Sequence, residues 1–148
     1  MPTSDRVAPR SAYVSLVLCV IGLGISIYLT YEHYTGNKTL ACSENGKVNC
    51  AKVTTSQWSH IGGVPVAVFG LIFFVGMTVL CLPWVWRFPQ LDALRVLGVI
   101  VGIGSALYLV WIELFKVDAI CLWCTGVHII TLLLLGAVLW TNSEVRAA

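Results

Sequence analysis

Charged side chains are scarce in this chain, at 11% of its 148 residues, against about a quarter in an ordinary soluble domain. That shortage excludes a globule solvated by water on all sides. A net charge of +2, with basic residues scattered along the chain, excludes a nucleic-acid partner held by charge. No internal repeat or low-complexity tract is present, which sets aside solenoids and tails. No small-residue cleavage site follows the first apolar run, although Arg6 and Arg10 precede it, so that run reads as a retained anchor and not a removed leader.

What the chain has in abundance is apolar length, with 58% of its residues hydrophobic. Stretches over residues 12–31, 64–85, 94–115 and 119–141 each reach the roughly 20 residues that carry a helix across a bilayer. Strands of a barrel would be about half as long. The expected architecture is therefore all-α and integral to the membrane, four spans in a single domain over 1–148. Its one long polar segment is the loop 32–63, and the connections 86–93, with Pro89, and 116–118 are short.

All five arginines (Arg6, Arg10, Arg87, Arg95, Arg146) fall on one side of this four-span arrangement, and all four lysines (Lys38, Lys47, Lys52, Lys116) on the other. The arginines hug the spans, where the positive-inside bias acts, so both termini are expected in the cytoplasm. Cys42 and Cys50 then lie in the extracytoplasmic loop, and Cys121 and Cys124 open the fourth span on the same face. Disulfides persist on that side of a membrane, so charge and cysteine placement agree. Cys19 and Cys81 fall within spans and are expected to pack as small apolar residues.

Cys121-Leu122-Trp123-Cys124 stands at an expected helix start, where free amides and the helix dipole favour a thiolate. Cysteines at i and i+3 share a face, with Cys124 about 4.5 Å further along the axis. Cys121 is expected toward water and Cys124 toward the lipid. A Cys-x-x-Cys also serves zinc sites and structural disulfides. Zinc is disfavoured because the loop pair is not a second Cys-x-x-Cys knuckle, and a purely bracing role gives no reason for a pair half-sunk in the membrane.

Taken together, Cys42 and Cys50, Ser56 and Trp58, the segment Gly63-Val64-Pro65-Val66-Ala67-Val68-Phe69-Gly70 and the final Cys-Leu-Trp-Cys resemble vitamin K epoxide reductase and its bacterial homologues, the quinone-coupled enzymes of disulfide formation. The resemblance covers nearly the whole chain. It implies a four-helix bundle around a quinone of the menaquinone, ubiquinone or vitamin K type, capped by a loop containing Ser56 and Trp58. It also implies a relay in which a thioredoxin-fold partner reduces Cys42, Cys50 exchanges with Cys121, and Cys124 reduces the quinone. Val66 stands where many members carry asparagine, and His128 where some carry tyrosine. His128 lies one turn beyond Cys124 and could donate to a quinone oxygen in place of the missing amide.

The chain shows no thioredoxin-like extension, so a separate soluble partner is expected, as is a bacterial plasma membrane. Two alternatives are an epoxide reductase of the endoplasmic reticulum and a non-enzymatic membrane protein braced by disulfides. Gly46 and the pair Gly62-Gly63 are expected to loosen the loop. Glu113 is expected at the interface, partnered by Lys116 or loop groups, and Trp84, Trp86, Trp111 and Trp140 in aromatic belts. Gly98, Gly102 and Ser105 suit close helix packing. His33 and His60 border the loop and are assigned no role.

Overall fold

The computed structural model describes residues 7–36, 41–42 and 45–148. Arg6 and Lys38, used above for orientation, lie outside them. The first helix, α1, runs from Arg10 to Thr35 and stops at Gly36, whose left-handed backbone lets its amide cap the carbonyls of Glu32 and His33. The buried face of α1 is built almost wholly of small residues, Ser11, Ala12, Ser15, Cys19, Gly22 and Ser26, at spacings of three and four that line up on one side of a helix. Small side chains let neighbouring backbones approach. Accordingly α1 is the central helix, packed by α3 (Val66–Leu80) and α5 (Leu122–Ala147), with α4 (Asp92–Ile112) lying chiefly on α5.

Three helical segments, Arg10–Thr35, Pro89–Val117 and Leu122–Ala147, are long and apolar enough to cross a membrane, and Val66–Leu80 is apolar but shorter. Chain direction alternates through these helices, so Arg10, Arg87, Arg95 and Arg146 gather at one end and Lys47, Lys52 and Lys116 at the other. The second span departs from expectation. Its helix covers 15 residues, a rise of about 22 Å, because extended backbone at Val64–Pro65 delays its start and Pro83 opens a separate 3-10 turn after Leu82.

Arg95 and Trp86 also depart from expectation. Neither faces a membrane surface, since both are essentially fully buried. The Arg95 guanidinium pairs with Asp92 at 2.8 Å and donates to the carbonyls of Leu80 and Val85, each at 2.7 Å. It thereby satisfies the Leu80 carbonyl that the end of α3 leaves open and adds a second donor to the Val85 carbonyl, which also accepts the Phe88 amide. Its plane lies 4.2 Å from the centre of the Trp86 ring, whose N–H donates to the Cys81 carbonyl. Trp84, Trp111 and Trp140 are exposed, as a belt requires.

The arginine end of the bundle is solid. Ala12, Cys19, Met77, Cys81, Trp86, Val99, Leu134 and Val138 form one buried cluster there, so Cys19 and Cys81 pack as small apolar residues. Close packing at small residues occurs as expected at Gly98 and Gly102, where an added Cβ would lie 3.0 Å from the Met77 sulfur and 2.7 Å from the Phe73 ring.

The loop folds over the opposite end. Its described part contains a short helix, α2 (Cys50–Thr54), a 3-10 turn at Gln57–Ser59, and a hairpin in which β1 (His60–Ile61) pairs with β2 (Val64–Pro65). Gly62 and Gly63 both have positive φ, 59° and 82°, the geometry of a tight two-residue hairpin turn. These glycines fix a turn where the sequence suggested looseness, and Gly46 does the same between the bridged residues Asn45 and Val48.

Candidate redox site

Two cysteine pairs meet at the loop end. Cys42 and Cys50 form a disulfide with an S–S length of 2.05 Å, while Cys121 and Cys124 are thiols. Three hydrogen bonds hold the loop against the Cys-Leu-Trp-Cys segment and its neighbour Ile120. The Asn49 amide donates to the Ile120 carbonyl at 3.0 Å, alongside an Ile120 amide to Lys47 carbonyl bond of 2.8 Å. The Trp123 indole donates to the Ala41 carbonyl at 2.7 Å, and the Ala41 amide donates to the Tyr28 hydroxyl at 2.8 Å. Each loop cysteine is thus preceded by a residue tied to the membrane pair or its immediate neighbour. Beneath them α2 rests on Ile112, Val117 and Ala119 through Val53.

Cys121 is the N-cap of α5, and its sulfur accepts from the Cys124 amide at 3.4 Å. This is the helix-start position expected for a thiolate. Lying just ahead of the span, the Cys121 thiol is held below its usual range, first by the Cys124 thiol donating to it and then by the amides of Cys124 and Trp123, against the opposing effect of burial. The expectation that Cys121 faces water is not met, for its exposure is 0%. Residues 47–49 pair with Ile120 immediately before it, a contact no local pattern signals.

Cys124 takes the other role. It lies in the wall of a cavity of about 400 Å³ enclosed by α1, α3, α4, α5 and the loop, within the range of small-molecule sites. The lining is largely apolar and includes Ser56, Trp58, Val66 and His128, so all four of the non-cysteine residues singled out from the sequence converge with Cys124. Cys121 is absent from this wall, and Cys42 and Cys50 sit above it. The Ser56 hydroxyl donates to the Val53 carbonyl. Among the described residues, the Nδ1 atom of His128 is buried with no hydrogen-bond partner, an uncommon state for a buried polar atom.

Glu113 is the functional candidate that sequence reasoning missed. The chain leaves α4 through a single π-helical stretch, Glu113–Val117, ended by Asp118 in a left-handed conformation at φ 51°. Such insertions rotate side chains out of the regular register. Here Glu113 turns inward, 5% exposed and lining the cavity, with the Cys121 backbone beside its carboxylate. Lys116, its expected partner, points outward instead, its ammonium 5.6 Å from the Trp58 ring centre and 5.4 Å from that of Trp111. A lone carboxylate near a span end was the only available sign, and the π-turn that redirects it has no sequence signature.

Comparison with known proteins agrees with this geometry. The sequence model of the vitamin K epoxide reductase family matches residues 13–139. The chain belongs to that family, whose members are oxidoreductases, and it is a multi-pass membrane protein.

Proposed function

We propose that this member of the vitamin K epoxide reductase family carries electrons from a thioredoxin-fold thiol protein, through Cys42 and Cys50 to Cys121 and Cys124, and on to a quinone, so supporting disulfide formation in exported proteins. The observation that carries the reading is the division of labour within one helix turn. Cys124 faces an apolar cavity, while Cys121 lies outside it, under the loop that bears the other pair.

Thiol–disulfide exchange needs a thiolate and a reachable sulfur. Cys121 supplies the first as the α5 N-cap, and the Asn49–Ile120 and Ala41–Trp123 bonds keep the loop disulfide beside it. A quinone fits the cavity by size, by its apolar lining and by the unpartnered His128 nitrogen, which as its N–H tautomer would donate to a carbonyl oxygen. When bound, the quinone supplies a two-electron, two-proton acceptor. Val66, Trp58 and Phe73 would contact its apolar body, and Ser56 belongs to the turn that closes the cavity mouth.

The reading takes all four apolar helices as crossings of one membrane domain, in a bacterial plasma membrane. Arginine-rich ends lie in the cytoplasm and the cysteines outside, as the positive-inside bias favours. Purified protein supplied with a dithiol should reduce added quinone, and Cys124→Ala should not. Equal rates in the two proteins would overturn the assignment. Offering quinone and quinone epoxide side by side separates thiol oxidation from epoxide reduction.

A further inference from the structure

We infer that Glu113 takes the proton of the Cys121 thiol, leaving the thiolate that exchange requires, and delivers it to the cavity as the membrane pair is oxidised, an assignment that rests on the relay proposed above. Oxidation of the pair forms one S–S bond and releases two electrons and two protons, which end together on a quinone as its two new O–H bonds. The Cys124 proton leaves from a sulfur already on the cavity wall. The Cys121 proton has no such exit, since that side chain is fully buried and outside the lining.

Glu113 spans the gap. Its buried side chain lies beside the Cys121 backbone on one side and belongs to the cavity lining on the other. As carboxylate it takes the Cys121 proton; as carboxyl it gives that proton to the acceptor in the cavity, and returns to its starting form. The other titratable groups nearby are placed differently. His128 follows Cys124 by one turn on α5, and His33 lines the cavity from α1. Lys116 is held over two indole rings, and Asp118 is exposed and paired with Lys47.

Glu113→Gln separates proton transfer from scaffolding, because the side chain keeps its size and an acceptor oxygen while the proton carrier is gone. Quinone reduction should fall about 100-fold, the order of a general acid–base contribution, with Glu113→Asp recovering part of the rate. A second readout needs no quinone. In the infrared difference spectrum between reduced and oxidised cysteine pairs, a carboxyl band should appear in the wild type and be missing from Glu113→Gln.

A variant within twofold of wild type at every pH, or a spectrum without that band, would overturn the assignment. Wild-type protein that reduces no quinone yet shows the band would overturn the relay's terminal step and uphold the exchange between Glu113 and the thiols. Matching thermal melts of the wild type and Glu113→Gln establish that rate differences are not a folding effect.

Discussion

The indole nitrogen of Trp123 donates to the carbonyl of Ala41 at 2.7 Å, across 82 positions of sequence. One of these residues lies between the membrane cysteines and the other immediately precedes Cys42. The Tyr28 ring packs on Trp123 with centroids 5.0 Å apart, and its hydroxyl receives the Ala41 amide, so Ala41 is held through both its amide and its carbonyl.

Trp123→Phe keeps most of the ring and removes the donor. A neutral hydrogen bond contributes about 1 kcal/mol, so electron transfer from a dithiol through the loop pair should slow roughly 5-fold. Quinone affinity should stay the same, because Trp123 is outside the cavity lining. Stopped-flow reduction of the loop disulfide and a quinone titration would check the two parts separately.

The thiolate character of Cys121 predicts a pH dependence. In protein with the other cysteines except Cys124 replaced by alanine and the pair reduced, thiolate absorbance should develop below the usual thiol range, about 8.5. Cys124→Ala, which removes the largest cause, should raise the midpoint. Because the folded-state value is lowered, the thiolate stabilises the reduced fold above the unfolded-state pKa. That contribution is lost as pH falls through the folded-state value.

Gly22 of α1 faces Phe74 of α3 so closely that an added Cβ would lie 2.2 Å from a ring carbon. Gly22→Ala should therefore cost about 1–3 kcal/mol, as overpacking does, visible as a lower melting temperature in detergent. Gly24→Ala, with nothing within 4 Å, serves as the neutral comparison.

Arg95 predicts a larger effect. Arg95→Met removes the cation from beside the buried Asp92 carboxylate and the donors to Leu80 and Val85, a change of about 3–5 kcal/mol. The double variant Arg95→Met with Asp92→Leu should regain much of that loss. Thermal unfolding of the three proteins checks the ordering.

Asp118 adopts a left-handed backbone at φ 51°, and its ion pair with Lys47 is largely solvent-exposed. The backbone requirement should outweigh the pair, since exposed pairs contribute about 0–1 kcal/mol and left-handed geometry costs a residue with a Cβ about 1–2 kcal/mol. Asp118→Gly is expected near wild type in thermal stability, and Asp118→Val clearly below it.

The helices and the helix-start cysteine pair were legible because each is written locally, in runs of apolar residues and in a Cys-x-x-Cys at the head of one. Ser56, Trp58, Val66 and His128 were legible only as a family pattern, and the cavity brings them together. The pairing of residues 47–49 with Ile120, immediately before the buried Cys121, was hidden because it joins segments far apart in sequence. Glu113 was hidden for a different reason: a one-turn change of helical register reverses which way a side chain points, and residue type does not announce it. Arg95 and Trp86 misled because the same residues that anchor a helix at a membrane surface can also plug the end of its neighbour.

The shortness of α3 has a consequence for traffic. A helix of 15 residues spans only part of a hydrocarbon layer about 30 Å thick, and lipids beside such a helix are drawn thinner at a modest cost per ångström. On the four-crossing reading, the bilayer dimples along α3. Phe69 and Ile72, which line the cavity from α3, are themselves exposed on the bundle's flank. On that reading hydrophobic molecules dissolved among the acyl chains would meet a lowered threshold on that side, and a sideways doorway from the lipid would replace any need to pass through water.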